Sequence, residues 1–335
     1  MFGFGKKKDE KLWIFDADKP TVSKVFANPP ADSQFKPELQ DVENDEQKEK
    51  YEAMLKFLND TESFPVTEKH DHDMACFKAL NEEEKAWLSR QCLLRYLRAC
   101  DWKLEDAKKR IVNSLAWRRE FGVAGGEFNS LTADGVKPEN ETGKQMIFGY
   151  DTESRPCLYL FNGRQNTKTS FRQIQHLIYM LEMAIDYMPR GQDKLCLCVD
   201  FKKYPEYCTY ESKVPALSVG KQVLGILQYH YPERLGRALF VNIPLIVWTF
   251  LKLCWPFVDD FTKQKVKFDE PFKLFIDPSQ LPVNYGGDVN LAYDHDVYWD
   301  DFVKIADQKR AKMMKNYEKL GGGIGLSEYD LKEGI

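Results

Sequence analysis

The segment IPLIVWTFLKLCWPFV, residues 243 to 258, carries a single charge, Lys252, in a chain that is 30% charged. Pro244 and Pro256 bracket it, so a helix between them runs over roughly residues 245 to 255. At about 16 residues the run is short of the roughly 20 needed to cross a bilayer. As a helix, Ile246, Phe250, Leu253 and Phe257 form one stripe, and Val247, Leu251, Cys254 and Val258 form the next. Leu245, Thr249 and Lys252 share the mildly polar edge, with Trp248 and Trp255 spaced to meet Lys252 there. Leaving six such side chains in water costs about 10 kcal/mol, comparable to the stability of a whole domain. Protein, bilayer or bound lipid must therefore cover the segment. A Trp and Lys edge suits a membrane interface.

The surroundings point to an α/β chain. Residues 1 to 78 read as an N-terminal extension with one helix near EQKEKYEAMLKFLND. Residues 79 to 130 read as a small helical lobe, opening on Asn81 as N-cap with an acidic first turn. From 131 to 300, strands and helices alternate: KQMIFGYDTESRPCLYLF as two strands around a turn, TSFRQIQHLIYMLEMAIDYM as a helix and KLCLCVDF as a strand. A helix through VGKQVLGILQYH, the strand RALFVNI and the apolar segment follow. That order predicts a sheet with helices packed on it. Residues 301 to 335 hold the body of a long helix, stopped by Gly321 to Gly323, and a tail.

Composition narrows the function. A net charge of −4 does not fit a protein that tracks nucleic-acid phosphates. The eight cysteines form no CxxC pair, and several lie in apolar runs, which fits a reducing cytosol. MFGFGKKKDEK lacks the apolar core of a secretory signal, so the expectation is a cytoplasmic protein. Phe2 and Phe4 beside Lys6 to Lys8 read as a solvated terminus. His70, Asp71, His72 and Asp73 lack a further spaced ligand group, and capping by Asp explains YDHDVYWDD around His295. Gly143-Lys144 lacks the upstream glycine of a phosphate loop, and Gln145 stands where that loop has Ser or Thr. No GxSxG elbow or motif-spaced nucleophile is present, so no catalytic residue and no metal site is expected.

Several ordered motifs resemble the CRAL-TRIO lipid-transfer family over roughly residues 80 to 300: LLRYLRACDW, HYPERLGRALFVNIP, PFVDDFTKQKVKF and SQLPVNYGGD. GRQNTKTSFRQ and EKYEAMLKF are most like the fungal phosphatidylinositol-transfer proteins of the pleiotropic-drug-resistance branch. The resemblance implies a helical lobe and an α/β lobe with a mixed, largely parallel sheet enclosing one phospholipid as ligand, with no cofactor. It makes Leu245, Ile246, Val247, Trp248, Phe250, Leu251, Leu253 and Trp255 a mobile gating helix. It places the phosphoinositol headgroup on Glu233, Thr262 and Lys265, residue types that accept from inositol hydroxyls and donate to phosphate. Cys100 and Asp101 replace the family's basic pair after LRA, which weakens the expected support from the helical lobe. Leu195 and Leu197 stand where members that bind phosphatidylcholine carry Ser and Thr, so a choline lipid is expected to be a poorer ligand.

The implied function is exchange of phosphatidylinositol between membranes and its presentation to lipid-metabolising enzymes, in support of phospholipid and sterol homeostasis. Phosphatidylinositol 4-kinase and phosphatidylserine decarboxylase are the implied partners, and endosome, endoplasmic reticulum, lipid droplet and plasma membrane are all open as destinations. Alternatives are another hydrophobic ligand such as a sterol or haem, a lipid-dependent interaction scaffold, or a lipid-modifying enzyme.

Overall fold

A computed structural model describes residues 18, 20–31, 33, 35–36, 41–68, 76–204 and 217–334. The N-terminal lysine and phenylalanine cluster and the His70–Asp73 group lie outside the described residues.

The helical lobe contains α1 (Asp45–Asp60), a short antiparallel pair β1 (Phe64–Pro65) and β2 (Phe77–Lys78), then α2 (Glu82–Trp87), α3 (Arg90–Arg98) and α4 (Leu104–Phe121). Its starts are those the side chains dictate. Asn44 and Ser89 cap α1 and α3, and Asn81 with Glu84 forms a capping box at α2. Gly122, at φ 91°, ends α4. Met54 and Leu58 of α1 share one core with Leu93, Leu94 and Leu97 of α3 and Ile111 and Leu115 of α4.

After α5 (Ala133–Val136) come β3 (Gln145–Tyr150), β4 (Pro156–Gly163), α6 (Phe171–Tyr187), β5 (Leu195–Lys203), α7 (Leu217–His230), β6 (Leu235–Val241), α8 (Leu245–Cys254), α9 (Asp260–Lys265) and β7 (Val266–Phe268). The sheet runs β3-β4-β5-β6-β7, with β3 antiparallel to β4 and the other pairs parallel. Because the order always advances in one direction, right-handed crossovers put α6, α7 and α8 on the same face. Period-two alternation then divides the side chains. Leu158, Leu197 and Ala238 are in register and face the helices. Tyr159, Cys198 and Leu239 face the other way, where Tyr159 meets Phe272 and Tyr285 of the C-terminal stretch.

Packing on the helix face is unequal. α6 buries nine of its 17 residues, and α10 (His295–Lys319) closes over it with Tyr298, Trp299 and Phe302. α7 buries only His230 among 14 residues, and α8 only Cys254 among 10. Gly321, Gly322 and Gly323, all at positive φ, stop α10 as the sequence implies. The chain then returns to the helical lobe through α11 (Glu328–Leu331).

Candidate functional site

Beneath α7 and α8 the sheet offers Val199, Phe240, Val266 and Phe268, aligned across β5, β6 and β7. From above, Val219, Val223, Ile226 and Leu227 of α7 and Val247, Phe250 and Leu251 of α8 stay only half-buried. Val199 is buried, while the other apolar groups on the sheet and on the two helices stay half-buried, a layer whose chemistry suits acyl chains.

α8 forms where the sequence places it. Of its two apolar stripes, the one with Val247, Leu251 and Cys254 turns inward, while Ile246 and Leu253 stand 66% and 54% exposed. Leu245 is 82% exposed, and Phe257 and Phe261 extend the same apolar surface. The expected aromatic edge at Lys252 differs. The rings of Trp248 and Trp255 turn down onto Phe268, with centroids 4.8 and 5.7 Å away, while Lys252 stays exposed. A lysine stem can pass its neighbours to reach water, whereas an indole gains more by stacking in the layer beneath.

Both ends of this helix are held by a few contacts. Asn242, just before it, adopts φ 56° and donates to Asp200 at 2.7 Å. A non-glycine residue in this left-handed region stores strain at the entry to α8. At the exit, Gln228 of α7 donates to the Phe257 carbonyl at 3.1 Å and accepts from the Asp259 N–H at 3.2 Å. Between them α8 rests on Gly220, where an added Cβ would lie 2.7 Å from Phe250 Cζ.

Polar groups gather beside the apolar layer. Asp259 caps α9 by accepting from the Thr262 N–H at 2.7 Å, and the Thr262 hydroxyl has no hydrogen-bond partner among the described residues. One turn later, Lys265 lies 3.8 Å from the centroid of Phe261 and has no salt bridge among the described residues. Burial, with Lys194 alongside, pushes its ammonium down to about 8. Glu233 is near enough to oppose that shift, and Arg155 adds positive charge on the same side.

Glu233 itself is held by a group that motif reading missed. Arg98 of α3 grips its carboxylate with Nε at 3.0 Å and Nη2 at 2.7 Å. The helical lobe therefore does reach this site, through Arg98 in place of the absent pair at Cys100 and Asp101. The signal was present in LLRYLRACDW, three residues after Arg95 and on the same helix face. A carboxylate held in an arginine fork retains lone pairs for hydroxyl donors. Glu233 also has φ 60°, so its backbone needs support from its neighbours.

That support comes from a second ion pair beside the first. Glu328 of α11 accepts from Arg95 at 3.0 Å and lies 3.6 Å from Arg234, the residue after Glu233. Burial alone would raise this carboxyl, but Arg95, Arg234 and Lys332 outweigh it and hold it far below the usual range. Arg95 and Arg98 on one helix thus bind Glu328 and Glu233, tying the C-terminal segment to the loop that carries Glu233. Leu195 is 3% exposed, whereas Leu197 is half-buried on the helix face.

The other sequence candidates have structural partners. Asp294 caps α10, and His295 bonds Tyr293 at 2.9 Å. Lys144 bonds Glu139, Gln165 and Thr167. An open groove of about 550 Å3 between α5 and α10 is lined by Asp134, Lys137, Asp300 and Lys304, mixed surface charges at the opposite end of the sheet.

Residues 140–287 match the family model described as the CRAL/TRIO domain, and residues 33–113 match the CRAL/TRIO N-terminal domain. The chain is 43% identical over 334 residues to phosphatidylinositol transfer protein PDR17 of Saccharomyces cerevisiae, covering 98% of this chain and 95% of that one. It is 45% identical over 289 residues to CRAL-TRIO domain-containing protein C23B6.04c of Schizosaccharomyces pombe, covering 86% of this chain and 27% of that protein. The solved structure described as the crystal structure of Sfh5 aligns over 81% of this chain and 99% of its own, at 13% identity and a TM-score of 0.49.

Proposed function

Because the chain belongs to the CRAL-TRIO family, we propose that it binds one phosphatidylinositol molecule and exchanges it between membranes without covalent chemistry. The observation that carries this reading is the half-buried apolar layer between α7, α8 and the sheet, adjoining Thr262, Lys265 and Glu233. The acyl chains occupy the layer. Lys265 and the Thr262 hydroxyl donate to the phosphate, and Glu233, held by Arg98, accepts from inositol hydroxyls.

Moving a diacyl lipid through water exposes some thirty methylenes at about 0.8 kcal/mol each, roughly 25 kcal/mol in all. A cavity of comparable polarity removes most of that cost, so opening the gate becomes the barrier. The exposed face formed by Leu245, Ile246, Leu253, Phe257 and Phe261 enters the membrane interface, and α8 moves by release at Gln228 about the strained Asn242. No described helix is long and apolar enough to cross a bilayer. On this reading the protein acts as a peripheral, cytoplasmic carrier. It presents its lipid to enzymes such as a phosphatidylinositol 4-kinase or phosphatidylserine decarboxylase, in support of phospholipid and sterol homeostasis.

Native mass spectrometry of the purified protein with its ligand tests the lipid class directly: one phosphatidylinositol per chain is expected, and a haem or sterol adduct would replace this reading. Glu233→Ala combined with Lys265→Ala should abolish phosphatidylinositol transfer between vesicles while circular dichroism stays unchanged. Undiminished transfer by that variant rejects the headgroup assignment.

A further inference from the structure

On the sheet face away from the lipid layer, Cys157 of β4 stands in register with Cys196 of β5, and Cys198 follows two residues later on the same face. The three sulfur atoms lie within 4.8 Å of one another, Cys196 and Cys198 at 3.9 Å, and all three residues are fully buried. Thiolates around one ion at metal–sulfur distances of about 2.3 Å are separated by about 3.8 to 4.0 Å. The group is thus close to a coordination geometry before any ion enters.

We propose that Cys157, Cys196 and Cys198 form a three-coordinate site for a soft monovalent cation of the Cu(I) class. Soft thiolate sets select Cu(I), Zn(II) and iron–sulfur clusters. Zinc takes four ligands, the fourth being water at an open site. Here the set among the described residues is three thiols, at a place closed to solvent.

Charge compensation is at hand. Arg155 and Arg237 both reach Asp151, at 3.3 and 3.4 Å, and Arg155 Nε is buried with no hydrogen-bond partner among the described residues. Arg237 and Arg155 both lie within electrostatic range of the Cys196 sulfur. Binding breaks three S–H bonds and forms three metal–sulfur bonds. The ion enters as Cu(I), so nothing is oxidised. The three protons released leave to solvent as the site loads, and the guanidiniums of Arg155 and Arg237, held by Asp151, offset the negative charge of the thiolates. With the site closed in the folded protein, loading accompanies folding or a local opening of the segment that covers this face.

The test is anaerobic competition between the full reduced protein and a chromogenic Cu(I) chelator, with X-ray absorption at the copper edge. One equivalent held against the chelator is expected, with three sulfur neighbours at about 2.3 Å. Cys196→Ser should weaken it by at least about 100-fold, while Cys92→Ser, in the core of the helical lobe, leaves it unchanged. No retained ion, fewer than three sulfur neighbours, or equal loss in both variants overturns the proposal. If Cys196→Ser does not fold, the absorption measurement on the unsubstituted protein decides alone. None of these readouts depends on which lipid is bound.

Discussion

Two halves of one sheet are built to different standards. Over β3 and β4, α6 and α10 interlock so closely that Met180, Ala184, Tyr187, Tyr298 and Phe302 have no exposed surface. Over β6 and β7, helices of equal or greater apolarity leave their inward side chains half-buried. The first half supplies the stability of the lobe. On the proposed function, the second half postpones part of its hydrophobic gain until lipid fills the layer. Apolar composition alone does not distinguish them; what differs is whether the opposing surfaces meet.

The largest expected effect breaks this comparison directly. Met180→Ala in α6 should destabilise the lipid-free protein by about 2–5 kcal/mol, through lost transfer energy and a trapped cavity. Leu227→Ala in α7 should cost less than about 1 kcal/mol in the same state, because its surroundings are not closed. Denaturant unfolding of both variants, with and without phosphatidylinositol, measures the contrast. Saturating lipid should raise the penalty at Leu227 and leave that at Met180 unchanged. Equal lipid-free penalties would show that both halves are closed cores.

The sequence made the secondary-structure elements of both halves readable. Helix caps, the glycine stop after Lys319 and the alternation of strand and helix depend on local rules, so α6, β5, α7 and β6 appear where their patterns place them. The site was legible in part. Glu233, Thr262 and Lys265 came from motif resemblance, and the structure sets Lys265 within electrostatic range of Glu233. Arg98 and Glu328 stayed hidden because their partners are 135 and 233 residues away, distances that no local pattern encodes. The orientation of Trp248 and Trp255 was hidden for the same reason: helical spacing gives a face, but the ring on β7 decides what that face meets.

The second test concerns the polar margin of the loose half. Lys265, pushed down to about 8 in the lipid-free protein, is mostly charged at pH 7 and mostly neutral at pH 9. Because the anionic phosphate favours the charged form, binding should weaken as pH rises through that value. The charged fraction drops by about tenfold between those two pH values, which sets the size of the expected loss in affinity. Lys265→Arg, charged throughout, should flatten the profile. A flat profile in the unsubstituted protein would remove Lys265 from the phosphate. Gly220 gives a smaller effect. In Gly220→Leu the new side chain should lift Phe250 off α7 and accelerate lipid exchange several-fold, as the gate loses its seat. Vesicle transfer with a fluorescent phosphatidylinositol reads it, and slower exchange would mean that α8 is not the barrier.

The smallest effect separates two leucines that the sequence treats alike. Leu195 is 3% exposed and packs in the closed core at the start of β5, whereas Leu197 is half-buried and in register with Leu158 and Ala238 beneath the helices. A hydroxyl at position 195 therefore has no solvent and displaces apolar contacts, so Leu195→Ser should act mainly on stability. Position 197 borders the layer assigned to lipid, and Leu197→Thr offers a donor there at small cost to packing. We expect Leu197→Thr alone to raise phosphatidylcholine uptake about two- to threefold, less than 1 kcal/mol. Leu195→Ser alone should lower the unfolding midpoint without changing lipid preference. Uptake from mixed vesicles, read by mass spectrometry beside thermal unfolding, resolves the pair. A preference that shifts only with Leu195→Ser would move the boundary between the closed and the open part along β5 by one residue pair, towards the start of that strand.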